Sequence, residues 1–294
     1  MFSVPIIRRR VKIDFEHARA GDWMAGNKDY ENVLNAISFL FPAGETYFCH
    51  SLQNYMARIT DPKLKEQARE FIYQEAMHTK EHMRSNRELM KTFPHGAEMD
   101  RIARGLLNFS RAVNPKPTQL ATTCALEHFT ALFADTLLRQ QDGFRASSDP
   151  AFAALWLWHA VEETEHKAVA FDVYQHCVGK GPIAYLHRVI IMGSVSLMFL
   201  GGLAFGFTMI KWKEARDRRK SGTTPATPAE KAAAKAGKPT LRELFKAFPA
   251  RLYFDYYRPS FHPWNHQNAY LIDKWREAYA TFGDAPEDPA PAAA

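Results

Sequence analysis

The chain has 294 residues, 46% of them hydrophobic and 24% charged, with a net charge of +6. This is the composition of a globular protein, long enough for one large helical domain or for a domain of about 200 residues with an appendage. The positive excess is modest and spread out, with runs at 8–10 and 211–220, and no recognition motif accompanies it. A specific nucleic-acid partner is therefore not expected, whereas a negative membrane surface suits the charge equally well. Three cysteines without a CxxC pair exclude a disulfide framework and suit a reducing compartment. The first residues, MFSVPIIRRR, place their apolar side chains before their charges, the reverse of an export signal, so a cytoplasmic location is expected.

In chain order, residues 1–30 read as an irregular or briefly extended arm. A helical pattern runs from Glu31 to about Ala57, with Pro42 and Gly44 marking a kink or a fresh start. Asp61 as N-cap and Pro62 at the first helical position open a long helix to about Phe93. Further helices are expected over about 98–112, 120–140 and 149–178, and strand alternation is nearly absent, so the fold class is all-α. Residues 189–210 hold no charge across 22 positions, long enough to span a bilayer. Their basic flank would face the cytoplasm. A full crossing would put the preceding bundle on the far side, and Gly193, Gly201, Gly202 and Gly206 allow a break into two short helices that pack on the bundle or enter one leaflet. The domain reading is an arm (1–30), a helical bundle (31–188), a hydrophobic helical segment (189–216), a flexible linker (217–240), an aromatic-rich helical segment (241–282) and a disordered tail (283–294).

The chemistry lies on four helix faces. At 3.6 residues per turn, His159, Glu163 and His166 share one stripe with Phe152, Leu155, Ala170 and Val173. Glu162 lies on its flank and Glu165 points elsewhere. Ala68, Phe71, Glu75, His78, His82 and Leu89 form a second stripe, so that Glu-x-x-His occurs twice. Glu45 lies with Phe41, Phe48 and Leu52, and Glu127 with Leu120, Cys124, Ala131 and Leu138. Corresponding carboxylates are 82 residues apart (45 to 127) and 88 apart (75 to 163), as two similar helix pairs would give. A single inward glutamate has a bland explanation in a bond to a neighbouring tyrosine or arginine. Four on four apolar faces repel one another, and each costs several kcal/mol to desolvate. Two divalent cations balance four carboxylates.

One glutamate from each of two helices plus Glu-x-x-His from each of two others resembles the ferritin-like di-iron and di-manganese carboxylate proteins. His159, four residues before Glu163, resembles the additional histidine ligand of the p-aminobenzoate N-oxygenase branch. Through FLFPAGETYF, QEAMHTKEH, HAVEETEHKAVAFDVY and YYRPSFHPW the chain also resembles the bacterial family called "predicted metal-dependent hydrolase" over roughly residues 5–280. The resemblance implies a ferritin-like four-helix core with additional helices and two metal ions held by Glu45, Glu75, His78, Glu127, His159, Glu163 and His166. His82, one turn past His78, is read as a hydrogen-bonding neighbour of the ligands. Iron is the expected metal, with manganese or zinc as alternatives. The expected activity is that of a di-iron oxygenase or oxidase using O₂ on a small molecule, an apolar one suiting the hydrophobic segment. Metal-dependent hydrolysis and metal storage are the alternatives, and a homodimer is admitted. His50 and His128 fall off the stripes, His262 and His266 suit capping or packing, and Tyr47 and Tyr73 suit aromatic packing.

Overall fold

The computed structural model describes residues 4–24, 27–93, 95–221 and 249–282, and among these the regular structure is helical with no strand. The expected linker and tail lie largely or wholly outside the described residues. Four helices carry the acidic stripes: α1 (Lys28–Gln53), α2 (Pro62–Thr92), α4 (Lys116–Arg139) and α6 (Pro150–His166). α1 packs on α2 and on α4, and α6 packs on α4 and on α2, which closes a four-helix core. Asp61 and Asp149 cap α2 and α6 by accepting from backbone N–H groups of the first turn, with proline at the first helical position of each.

α1 continues through Pro42 without a break. Proline has no N–H to give the carbonyl four residues earlier. Here Asn86 Nδ2 donates to that carbonyl, Ser38 O, at 2.8 Å, so the proline leaves no buried acceptor empty. The expected helix over 149–178 is instead two, α6 and α7 (Val169–Cys177), separated at Lys167 and Ala168. At the break Lys167 Nζ donates to His266 O and Asn268 Oδ1 of the C-terminal segment.

α3 (Gly96–Val113) packs on α1, and a Cβ on Gly96 would meet the Phe39 ring at 2.3 Å, so only glycine admits this approach. After the short α5 (Gln141–Ser147) and α7, helix α8 (Pro182–Ser221) packs along α4 and α1. It begins before the uncharged segment and runs unbroken through its glycines. By length and composition α8 is able to cross a membrane, and only 22% of its most apolar window is buried. The C-terminal segment contributes α9 (Ala250–Asp255), a 3-10 turn at Pro263–Asn265 and α10 (Tyr270–Phe282).

The apolar core falls into two clusters. One gathers Leu34, Phe39, Leu89, Leu138, Phe152 and Trp156, and the other Leu52, Phe71, Leu120, Phe129, Phe171 and Tyr256. On α1 and α2 the inward-facing carboxylates and imidazoles lie between residues of one cluster and those of the other, as Glu163 and His166 do on the α6–α7 pair; on α4 Glu127 sits among residues of the second cluster, ahead of those of the first.

Candidate metal centre

The four helices bring all seven predicted side chains together, each no more than 3% exposed. They form two adjoining sets. In one, donor atoms of Glu45, His78 and His159 lie within 4.8 Å of one another, and in the other the same holds for Glu75, Glu127, Glu163 and His166. Glu163 joins the sets: its Oε1 is 2.9 Å from His159 Nε2 and 3.7 Å from His78 Nδ1, while its Oε2 is 3.4 Å from His166 Nε2. Glu75 does the same, with Oε2 at 3.8 Å from His78 Nδ1 and Oε1 at 3.1 Å from His166 Nε2. Glu127 Oε2 completes the second set at 3.6 Å from His166 Nε2.

The inward atoms fit a cation. Both carboxylate oxygens of Glu45, Glu75 and Glu127, with Glu163 Oε2, His78 Nδ1 and His166 Nε2, are buried and have no hydrogen-bond partner. Buried polar atoms seldom go unpaired, and here the unpaired ones converge. Every one is a carboxyl oxygen or an imidazole nitrogen, which once deprotonated is the donor type of iron, manganese or zinc.

The outward nitrogens of the imidazoles are all engaged, which aims the other nitrogen inward. His78 Nε2 donates to Glu162 Oε2 at 3.1 Å, and His166 Nδ1 donates to Gln74 Oε1 at 2.8 Å. His159 Nδ1 lies 2.7 Å from His82 Nε2, and His82 Nδ1 lies 2.9 Å from Ser38 Oγ, which donates to Asn86 Oδ1. His82 thus sits behind His159 rather than in either donor set. The arm takes part as well. Arg9 reaches Glu165 through two bonds, Nη2 to Oε1 at 2.6 Å and Nη1 to Oε2 at 2.9 Å, and also donates to Glu162 Oε1. Trp158 Nε1 donates to the same Glu162 oxygen, and Gln74 Nε2 to Glu165 Oε2. Sequence reading did not find Arg9, Gln74, Glu162 or Glu165 in these supporting roles.

Proton occupancy of the bare cluster follows its burial and neighbours. Burial, then the nearby Glu75, pushes the Glu45 carboxyl well above the ordinary range; burial, then Glu163, does the same to Glu127. Burial and Glu163 would also raise Glu75, but His166 and His78 outweigh them and leave it lowered. Glu163 is held well below the ordinary range against burial, chiefly by His166 and His159. Against burial, Glu162 and then Glu75 raise His78 to about 10, and Glu163 raises His166 well above its ordinary value. Burial lowers His159 and His82, keeping both neutral. In the bare cluster the shifts thus favour the protonated forms of Glu45, Glu127, His78 and His166 and the ionised forms of Glu75 and Glu163.

The other histidines singled out in the sequence serve elsewhere. His50 is exposed. His128 faces Tyr253 O and the Tyr256 ring, and burial lowers it to about 3. His262 accepts from Trp264 N and bonds Asp172, while His266 bonds Asp255. Tyr47 meets Ser110, and Tyr73 lies under Arg8.

A cavity of about 460 Å³ adjoins the centre between α1, α4 and α8, lined by Ile37, Phe41, Phe129, Phe133, Leu203 and Phe207 among others. Residues 7–267 match a protein family described as "predicted metal-dependent hydrolase". No curated protein and no solved structure matches the chain.

Proposed function

Because the chain belongs to the family described as predicted metal-dependent hydrolases, we propose that it is an enzyme whose buried carboxylate–imidazole cluster holds two metal ions. The observation that carries this is the divided reach of Glu75 and Glu163, each with one oxygen toward the His78 side and the other toward His166. One ion would take Glu45, His78 and His159, the other Glu127 and His166, and the two divided carboxylates would serve both. This reading sets the chain beside the ferritin-like dinuclear carboxylate proteins and their variant with a third histidine. Two such ions supply either electrons for O₂ chemistry, if iron or manganese, or a polarised water, if redox-inert.

The side chains of this protein hold and orient. Glu162, Gln74 and His82 fix the faces of His78, His166 and His159. Arg9 neutralises Glu162 and Glu165 so that these two carboxylates do not compete for the ions. The two cores keep bulk water from the cluster.

Between the two reactions, the geometry favours oxidation of an apolar substrate. The donor set is rich in carboxylate, and the adjoining cavity has no charged lining residue to seat a polar leaving group. The family description favours hydrolysis, the second reading. Metal analysis of protein purified without chelators, joined to O₂-uptake and esterase assays, tests both. Two irons per chain with O₂ uptake supports oxidation, two zinc ions with hydrolysis and no O₂ uptake supports the second reading, and a metal-free chain refutes both. Glu163→Ala should lose both ions, whichever metal is native.

A further inference from the structure

We propose that the cavity between α1, α4 and α8 is the binding site for a hydrocarbon chain, and that this chain is part of the substrate; the second half of the statement rests on the metal-enzyme reading above. The first support is the chemistry of the walls. Besides aliphatic and aromatic side chains the lining holds three threonines, and each hydroxyl already donates within its own helix: Thr130 to Glu127 O, Thr136 to Leu132 O and Thr208 to Ala204 O. No lining side chain therefore offers a free donor, and none is charged. A polar ligand would forfeit its hydration there without replacement, whereas methylene groups gain by burial. The volume falls within the range of about 300–1,000 Å³ common to small-molecule sites.

The second support is continuity with the metal centre. Phe41 lines the cavity, and its ring centroid is 4.7 Å from that of His159 and 4.9 Å from that of His82. One aromatic ring therefore forms the wall between cavity and cluster, and Glu45 stands one helical turn farther along α1. Phe41 and Phe133 both pack on Trp156, at 5.7 and 5.6 Å, which gives the inner end a fixed floor. The outer end lies along α8, where Leu200 lines the cavity while remaining 55% exposed. The geometry thus runs from an apolar mouth to a ring that touches a candidate ligand.

The test uses the full-length chain and a neutral photoprobe, a dodecyl alcohol carrying a mid-chain diazirine, with crosslinks mapped by mass spectrometry and metal content measured on the same sample. Labelling is expected on cavity residues such as Ile37, Phe133 and Phe207, and excess plain dodecanol should abolish it. Ala204→Trp, which places a large ring into the cavity from α8, should cut labelling at least tenfold. Ile183→Trp, exposed on the same helix outside the cavity, should leave it unchanged. Labelling confined to exposed α8 residues without competition, or unaffected by Ala204→Trp, overturns the proposal. So does absent labelling in an oligomer that Ala204→Trp dissociates, because a second copy would then fill the groove. Two ions per chain with no cavity labelling removes this inference and leaves the metal enzyme standing. Competed labelling on a chain that takes up no metal removes the enzyme reading and leaves the hydrocarbon site.

Discussion

Loading the empty centre with two divalent ions should expel about four protons per chain. In the bare cluster Glu45 and Glu127 are raised well above the ordinary carboxyl range, His78 is raised to about 10 and His166 is raised well above its ordinary value. Each shift favours a bound proton, which a coordinated ion must displace, because carboxylate and neutral imidazole are the ligand forms. By linkage, the combined binding constant for both ions should rise by about four powers of ten per pH unit near neutrality. Titration calorimetry of the chelator-stripped protein with Mn²⁺, repeated in buffers of different ionisation enthalpy, reads the proton count directly from the slope. Glu127→Gln cannot carry one of these protons, so whatever two-ion binding it retains should release about three. A release of two protons or fewer by the unaltered chain would refute the reasoning, since it would mean that carboxylates stay ionised together in the empty core.

The raised groups stabilise the stripped protein fully below their unfolded values, about 4.5 for the carboxyls and 6.5 for the imidazoles, and lose that contribution as pH climbs through their folded values, about 10 for His78. Between pH 6 and 9 the stripped chain should therefore lose more melting temperature, or gain less, than stripped His78→Gln, and equal pH slopes contradict this. His82→Ala leaves the His159 Nδ1–H without its acceptor and should weaken the ion on the Glu45–His78–His159 side by about 10- to 100-fold while sparing the other, read as one tight and one weak ion in equilibrium dialysis. Arg9→Met removes the two-bond partner of Glu165, leaving it Gln74 Nε2, Ile7 N and Arg276 at 3.5 Å, and should cost about 1.5–3 kcal/mol in urea unfolding; a loss below about 1 kcal/mol removes the arm from the supporting network. Because α8 leaves Leu197, Leu200 and Phe205 more than half exposed, the full-length chain should sediment with membranes and need detergent, and monodisperse protein in plain buffer counts against that.

The faces that converge on the centre were legible because helical periodicity places i, i+3, i+4 and i+7 on one side whatever the tertiary fold. Glu75, His78, Glu163 and His166 needed nothing else. Their supports were not legible, since Arg9 and Glu162 are 153 residues apart in the chain and the arm that carries Arg9 has no period. Gln74, next to a ligand, is a neutral amide on no recognisable pattern. The break after His166 has no glycine or proline to announce it and is accompanied by bonds from Lys167 to a segment about 100 residues later. At Pro42, where the sequence admits a kink or a fresh start, the helix runs on, and the carbonyl that the proline leaves without a donor is met by the amide of Asn86.

The split of the apolar core into two clusters bears on cooperativity. Hydrophobic adhesion holds each end of the bundle together, but the layer between them is built from carboxylates and imidazoles that adhere poorly unless something binds them. Helix continuity alone then couples the ends in the empty chain, and local opening at one end need not propagate to the other. Ions bound there would fasten the four helices at mid-height. Backbone amides near Phe39 and near Phe71 would then be protected by a single opening event instead of two independent ones.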